Sequence, residues 1–188
     1  MSAISIADFQ KRYDWQDVPK DYFAEANDRS VILTLARHYQ PKRVIEIGIQ
    51  EGRTAKVLLD NCQSIESYIG IDVTPATPIT HTPDRPPVPG KYALEDARLE
   101  LRLIDGGSAS LAELPEADFV FIDGDHIGIA PRHDTEMALA AVKQGVIVWH
   151  DYSTCRDVDS VVNDLNNGAL KQAIIHVQGT LVAYLVIE

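Results

Sequence analysis

The strongest constraint on the fold is a short apolar run that ends in an acidic turn with two glycines, Val44-Ile45-Glu46-Ile47-Gly48-Ile49-Gln50-Glu51-Gly52. A brief apolar run bounded by turn residues predicts a buried strand over 44–47, and the segment 54–59 that follows predicts a helix packed against it. A strand joined to a helix by such a turn is typical of a nucleotide-binding corner.

The alternation of strand and helix patterns continues along the chain and predicts an α/β fold. Strands are predicted at 44–47, 67–73, 100–104, 118–122, 146–149, 173–177 and 181–187. Helices are predicted at 54–59, 131–142 and 158–165, after a helical lead-in over 1–40. Strands that alternate with helices form parallel sheets, whereas the last two strands, separated by three turn residues, predict a hairpin. We therefore expect one domain over 1–188, a Rossmann-like doubly wound sheet of seven strands, mostly parallel, with a C-terminal antiparallel hairpin.

Composition limits the partners of the chain. The formal net charge of −11 and the lack of a basic run argue against nucleic acid, because phosphate binding needs Lys and Arg. Residues 1–14 contain charges and no long apolar run, so we expect neither a signal peptide nor membrane insertion. Cys62 and Cys155 are too few for a disulfide framework, which favours a reducing, cytoplasmic location.

A proline-rich segment over 74–90 interrupts the pattern. It contains six prolines and no apolar periodicity, so it predicts a long surface loop. Because it follows a strand, it lies on the ligand-binding side of the sheet and is a candidate lid; a disordered insertion is the alternative.

The acidic corner favours a cationic ligand. Its Gly-x-x-x-Gly spacing, Gly48 and Gly52, lacks a glycine of the dinucleotide fingerprint. Glu46 and Glu51 would repel a pyrophosphate but suit a sulfonium or ammonium group, which favours S-adenosylmethionine over NAD. Asp72 ends the next strand, where a carboxylate can accept both hydrogen bonds of a ribose diol. The alternative is that the glycines only permit a tight turn and Asp72 is a solvated strand end.

The order of these motifs resembles the class I S-adenosylmethionine-dependent methyltransferases. The matching segments are Glu46-Ile47-Gly48, Asp72, Ile104-Asp105-Gly106-Gly107-Ser108, Phe121-Ile122-Asp123-Gly124-Asp125-His126 and Trp149-His150-Asp151-Tyr152. Within that superfamily, the Asp-Gly-Asp-His segment is similar to the small metal-dependent O-methyltransferases that include the macrocin-type sugar methyltransferases, and more distantly to catechol O-methyltransferase.

The resemblance implies roles for particular residues in cofactor binding. It places Glu46 and Gly48 around the methionine and ribose of S-adenosylmethionine and puts Asp72 at the ribose hydroxyls. Gly52 and Asp123 are also expected to bind the cofactor. The loop with Asp105, Gly106 and Ser108 would border the adenine. The family commonly has an acidic residue at the position of Gly107, so Asp105 is the candidate substitute.

A second group of residues follows two later strands. Asp123 comes after one strand and His150 and Asp151 after the next, so parallel strands would bring them to one crevice. Carboxylates that converge repel each other unless a proton or cation lies between them, and a divalent metal is the simplest remedy. The metal-dependent relatives have ligands at these three positions, usually oxygen donors. His150 would shift the preference from magnesium toward manganese, iron or zinc, or does not ligate. The alternative is that these residues form turns and cap strands.

The implied reaction is O-methylation of a small hydroxylated acceptor. His126 lies three residues after Asp123, the offset of the proposed base in the sugar methyltransferases, and imidazole titrates near neutrality. Asp123 is the second candidate catalytic residue. Three alternatives stay open: a metal-independent methyltransferase of the same fold, an accessory protein that binds the cofactor without turnover, and a nucleotide-dependent enzyme unrelated to methyl transfer. The terminal hairpin offers an edge strand that could pair in a homodimer.

Overall fold

The computed structural model describes residues 1–18, 26–77, 87–168 and 172–188. Within these ranges the chain forms eight strands and five α-helices around one sheet. The strands are β1 (Ser2–Ser5), β2 (Arg43–Ile47), β3 (Ser67–Val73), β4 (Leu99–Ile104), β5 (Ala117–Ile122), β6 (Val142–Trp149), β7 (Ile175–Gln178) and β8 (Ala183–Ile187). The helices are α1 (Ile6–Arg12), α2 (Ala26–Tyr39), α3 (Arg53–Asn61), α4 (Ala130–Ala141) and α5 (Arg156–Asn167).

The strand order across the sheet is β1-β7-β8-β6-β5-β2-β3-β4. The neighbours of β8 run antiparallel to it, and the other adjacent pairs are parallel. This confirms the predicted mostly parallel Rossmann-like sheet with a C-terminal antiparallel hairpin. Ile47 pairs with Ile122, and Ile122 pairs with Trp149, so β2, β5 and β6 end level with one another. The residues that follow these strands therefore meet at one edge.

Each face of the sheet has its own apolar core. Phe9, Leu35 and Leu58 belong to the core under α1, α2 and α3, whereas Met137 and Val162 belong to the core under α4 and α5. Because side chains alternate along a strand, successive residues of β2 enter opposite cores. This alternation directs the side chain of Glu46, a charged residue, into the core under α1, α2 and α3.

The N-terminal segment differs from the prediction. The helical lead-in over 1–40 begins with a strand, β1, which pairs in parallel with β7 from Ser2 opposite Ile175. Four residues are too few to show an alternating pattern, and the partner strand lies near the other end of the chain. The prediction that the terminal hairpin offers an edge strand is therefore wrong. β1 pairs with β7, and the sheet ends at β1 and β4.

The proline-rich loop is described only at its ends. Residues 78–86 of the candidate lid, which include His81, lie outside the described residues. Thr77 hydrogen-bonds to Asp105, and Gly90 N donates to Gln50 O at 2.7 Å. Both described ends of the loop thus contact the carboxyl edge of the sheet. No helix in the described ranges has the length and apolarity needed to cross a bilayer.

Candidate functional site

At Gly48, the loop after β2 packs closely against the loop after β5. It has a φ of +89°, and a Cβ at this position would overlap with the carbonyl oxygen of Asp123. The two loops are also tied by a hydrogen bond from Asp123 N to Ile47 O at 2.8 Å. A residue without a side chain is needed here because two backbones are packed together.

Glu46 lies beneath this corner and is 2% exposed. Its Oε2 accepts a hydrogen bond of 2.8 Å from the Tyr68 hydroxyl. Burial raises the pKa of Glu46 well above its ordinary value; the hydrogen bond from Tyr68 opposes this rise, and the nearby Asp123 and Asp72 add to it. The carboxyl group therefore supports the floor of the crevice and holds its proton more tightly than a solvated glutamate.

Glu51 is the second acidic residue of the corner, and neighbouring cations balance its negative charge. Its carboxylate accepts hydrogen bonds from Lys91 and from Arg53, and these contacts lower the pKa of Glu51. The argument that two uncompensated glutamates attract a cationic ligand is therefore wrong for this pair. One is buried away from solvent, and the other is neutralised by two cations.

Gly52 and Asp72 shape the rest of the corner. Gly52 has a φ of +79°, and a Cβ there would lie 2.9 Å from Gly90, at the end of the proline-rich loop. Asp72 Oδ2 accepts a hydrogen bond of 2.7 Å from Gln50 N. Each carboxylate oxygen has two lone pairs, so Asp72 fixes the turn and can still accept hydrogen bonds from a ligand.

The loop after β4 lies next to β3. Asp105 is exposed at its start and accepts a hydrogen bond of 2.9 Å from Thr77. Gly106, with a φ of +77°, turns the chain into a short 3₁₀ helix that begins at Gly107 and contains Ser108. His133 on α4 contacts the carbonyl oxygen of Ser108 at 3.2 Å. The predicted adenine loop is thus joined both to the proline-rich segment and to α4.

Three predicted side chains meet at the ends of β5 and β6. His150 Nδ1 lies 3.2 Å from Asp123 Oδ1 and 3.2 Å from Asp151 Oδ2. One ligating atom from each residue lies within 4.8 Å of the others, an arrangement that can hold a metal ion. Asp151 has a φ of +57°, an uncommon conformation for a residue with a side chain, and such strain is frequent at functional sites. We call Asp123, His150 and Asp151 the acidic triad.

His126 stands beside the acidic triad. Its Nε2 lies 3.1 Å from Asp151 Oδ2, and its side chain is 34% exposed. A carboxylate on one ring nitrogen orients the imidazole and leaves the other nitrogen to exchange protons. His126 is therefore held beside the acidic triad by its contact with Asp151.

Asp28 on α2 completes the surroundings of His150, and sequence reasoning missed it. Its Oδ2 lies 3.2 Å from His150 Nε2, and its Oδ1 accepts a hydrogen bond of 3.2 Å from Leu181 N. Burial alone would lower the pKa of His150, but hydrogen bonds with Asp123, Asp151 and Asp28 raise it to about 12. No signal in the sequence connects Asp28 to a residue more than one hundred positions later.

Asp134 is a second residue whose surroundings the sequence did not reveal. Its position shortly after Pro131 is typical of an ordinary helix start, yet Asp134 is 0% exposed. Neither of its carboxylate oxygens has a hydrogen-bond partner among the described residues. Burial raises the pKa of Asp134 to about 6, opposed by the nearby Ser108. Asp134 thus lies between the adenine loop and Gly124, where a Cβ would be 3.1 Å from its Oδ2.

A cleft of about 640 Å³ opens on the side of the acidic triad away from β2. Five of its seven lining residues are polar, namely Asn27, Asp28, Ser153, His176 and Thr180, and the other two are Gly179 and Leu181. The cleft shares Asp28 with the surroundings of His150. It has room for a small molecule beside the acidic triad.

The comparisons with known proteins agree with this geometry. A family model described as a methyltransferase domain matches residues 45–152, which include the corner at Gly48 and the acidic triad. The chain belongs to this methyltransferase domain family. No curated protein sequence matches it.

Solved methyltransferase structures share the fold of this methyltransferase domain. The O-methyltransferase TomG of Streptomyces achromogenes, of tomaymycin synthesis and in complex with S-adenosylmethionine, is 15% identical with a TM-score of 0.61, over 97% of this chain and 87% of that one. A Podospora anserina methyltransferase bound to S-adenosylhomocysteine is 14% identical with a TM-score of 0.67, over 97% and 93%. A Bacillus cereus O-methyltransferase in complex with S-adenosylhomocysteine is 14% identical with a TM-score of 0.62, over 89% and 84%. The chain therefore shares the fold of these methyltransferases.

Proposed function

We propose that the protein is an S-adenosylmethionine-dependent O-methyltransferase that acts on a small hydroxylated acceptor with the help of a divalent metal. The observation that carries the proposal is the acidic triad, which lies in a methyltransferase domain directly beside the corner of Gly48. This arrangement supports the proposal because a metal at the triad would activate a hydroxyl next to the site expected for the methyl donor.

The cofactor would lie over β2, β3 and β4. Asp72 and Asp105 stand at the ends of neighbouring strands and keep acceptor lone pairs for hydroxyl and amino groups. Gly48, Gly52, Gly106 and Ser108 would border the cofactor through backbone groups. Glu46 would support this floor from below, because its carboxyl is buried under the corner. When bound, S-adenosylmethionine supplies an electrophilic methyl group.

The acidic triad fits a divalent metal by its donor atoms. Two carboxylate oxygens and one imidazole nitrogen converge, and a mixed nitrogen and oxygen set suits manganese, iron or zinc better than magnesium. Asp123, His150 and Asp151 would hold the ion, which when bound lowers the pKa of a coordinated hydroxyl.

The acceptor would enter through the cleft beside Asp28. In the strand order, the acidic triad lies between the expected cofactor side and this cleft. His126 would accept the proton of the acceptor hydroxyl at Nδ1 while Asp151 holds its Nε2. Fixing the acceptor between His126 and the cofactor side supplies the alignment that in-line transfer needs.

One observation favours a metal-independent version of the same reaction. The His150 ring already lies between the carboxylates of Asp123 and Asp151, and a protonated imidazole there compensates their charge without a cation. In that version His126 or Asp123 acts on the acceptor without a metal. Turnover that persists after removal of metal by a chelator would support it.

Calorimetric titration tests the cofactor assignment. S-adenosylmethionine and NAD are each titrated with and without manganese or magnesium. Heat from S-adenosylmethionine and none from NAD is the expected result. Binding of NAD alone would overturn the proposal in favour of a different nucleotide-dependent enzyme, and binding of S-adenosylmethionine without turnover on any acceptor would favour an accessory protein.

A pair of variants tests the role of the acidic triad. Asp123→Ala should abolish metal-stimulated release of S-adenosylhomocysteine from a panel of hydroxylated acceptors, while the affinity for S-adenosylmethionine is largely retained. Asp164→Ala is the matched control, because Asp164 is exposed on α5 and pairs with Arg132 away from the triad. Equal metal stimulation in wild type and Asp123→Ala would contradict metal assistance through this residue.

A further inference from the structure

His133 on α4 contacts the adenine loop, the loop after β4, at two backbone oxygens. Its Nε2 lies 3.2 Å from the carbonyl oxygen of Ser108 and 3.0 Å from that of Leu111. A carbonyl oxygen only accepts hydrogen bonds, so Nε2 carries a proton and donates to this pair of oxygens. Leu111 N also donates to Ser108 O at 2.9 Å, so the imidazole closes the end of the short 3₁₀ helix in this loop.

The helix that carries His133 packs against the adenine loop. The next residue, Asp134, is fully buried and has Ser108 near its carboxylate. A Cβ on Gly124, in the loop that leads to His126, would lie 3.1 Å from Asp134 Oδ2. This turn of α4 therefore lies between the adenine loop and the loop of His126, and His133 is held on a packed framework.

The adenine loop needs support from outside because two consecutive glycines form its turn. Gly106 has a φ of +77° and Gly107 a φ of +67°. Glycine loses more conformational freedom on folding than any other residue. A Cβ at Gly107 would also lie 2.8 Å from Cγ1 of Val73, so in this conformation the loop has no room for the acidic side chain that the family commonly has there. Contacts such as those of His133 reduce the entropic cost of ordering the loop for a ligand.

The order imposed by His133 extends to the start of the loop. Ser110 lies in the same 3₁₀ helix, and its Oγ donates a hydrogen bond of 2.8 Å to the backbone oxygen of Asp105. The position of Asp105, the candidate carboxylate for the adenine, therefore depends on the position of the segment that His133 holds.

We propose that His133 is a positioning residue that fixes the adenine loop in the shape that selects the adenine base. The inference rests on the proposed function, which puts this loop beside the cofactor. His133 does not touch the cofactor in this scheme; it acts through the loop.

The test uses variants that keep or remove the N–H donor. His133→Ala removes it, His133→Leu removes it while filling most of the space, and His133→Gln keeps an N–H donor at a similar reach. Arg98→Ala is the matched control. Arg98 Nη2 also donates to a backbone carbonyl, that of Leu59 at 2.5 Å, but Arg98 precedes β4 and lies at the opposite edge of the sheet. This control should lower the melting temperature and leave cofactor affinity unchanged.

Calorimetry measures the affinities for S-adenosylhomocysteine and S-inosylhomocysteine, which differ only in the base. Wild type should prefer the adenine compound, because a carboxylate accepts a hydrogen bond from its amino group and not from the carbonyl that replaces it. His133→Ala and His133→Leu should bind S-adenosylhomocysteine roughly 3- to 10-fold more weakly and the inosine compound nearly as before. The preference for adenine should shrink by the same factor, and His133→Gln should restore most of it.

The ratio of the two affinities separates positioning from a merely structural role. General loosening of the fold weakens both ligands alike and leaves the ratio unchanged, so an unchanged ratio in the variants without a donor would overturn the proposal. If His133→Ala fails to fold, the comparison of His133→Leu with His133→Gln still decides it.

The outcomes also separate this inference from the proposed function. Wild-type protein that binds both compounds equally would overturn the role of His133 and leave the cofactor assignment intact. Wild-type protein that binds neither compound would overturn the proposed function, and this role of His133 with it.

Discussion

The corner around Gly48 and the acidic triad lie side by side, yet they are built differently. At the corner, backbone contacts set the shape, and the acidic side chains are satisfied locally: Glu46 by Tyr68, and Glu51 by Lys91 and Arg53. At the acidic triad, carboxylates converge on one imidazole with no Lys or Arg among their described ion-pair partners. The difference predicts that the corner would recognise the proposed cofactor by shape, whereas the triad is a charged centre suited to a cation or a proton.

The largest effect is expected from Gly48→Ala. The new methyl group would overlap with the Asp123 carbonyl and require a left-handed backbone, so unfolding should become easier by about 4 kcal/mol or more. Urea denaturation measures this change. Gly179→Ala is the control: it shares a positive φ but has nothing within 4 Å of its Cβ, so it should cost about 1–2 kcal/mol. Equal losses in the two variants would contradict the close packing of the two loops.

Asp134→Asn should change the pH dependence of stability. Burial raises the pKa of Asp134 to about 6 from 3.8, so its protonated form stabilises the fold at low pH, and that contribution is lost as the pH rises toward and through 6. The Asn variant should match wild type below about pH 4 and exceed it by up to about 3 kcal/mol at pH 8. Denaturant unfolding across this pH range tests it; a constant difference would show that Asp134 is not the titrating group.

Tyr68→Phe tests whether the hydrogen bond from Tyr68 stabilises the buried carboxyl group of Glu46. Without the hydroxyl, a buried carboxyl oxygen loses its donor, which should cost about 2 kcal/mol. Thermal unfolding measures the loss, and Tyr92→Phe, at an exposed tyrosine, is the comparison. Unchanged stability in Tyr68→Phe would mean that Glu46 finds another partner.

The smallest effect is expected from Lys91→Ala, which separates recognition by shape from recognition by charge. Glu51 keeps Arg53 as a partner, so the affinity for S-adenosylmethionine should change by no more than a few-fold. If the charge of Glu51 attracts the sulfonium, removal of Lys91 should instead tighten binding markedly, and more so at low salt. Calorimetry at two salt concentrations distinguishes the two results.

The fold class could be predicted from the sequence because its signals are local. The apolar run of β2 and the β-rich segments before and after Gly179 are short-range patterns, and the structure has a strand in each. The strand β1 was missed because its identity depends on pairing with β7, and four residues contain no pattern of their own.

The site was predictable where residues directly follow strands. Asp123, His150 and Asp151 could be expected together, since parallel strands in register end at one edge. The roles assigned to these residues and to His126 stay predictions. Asp28 and Asp134 could not be predicted from the sequence. Asp28 is brought to the site only by the packing of α2, and Asp134 looks like an ordinary residue of a helix start.

The sequence by itself determined the order of strands and helices from β2 onward, the parallel sheet and the meeting of the acidic triad, because hydrophobic periodicity and the residues at strand ends are local features of a sequence. Tertiary structure decided the charge state of the corner, the partner of β7 and the link from Asp28 through His150 to the triad. These depend on burial and on contacts between residues far apart in the chain. A glutamate is the same residue in the sequence whether it is solvated, paired with a lysine or buried beside a tyrosine. Only its surroundings in the folded protein determine its pKa and its role.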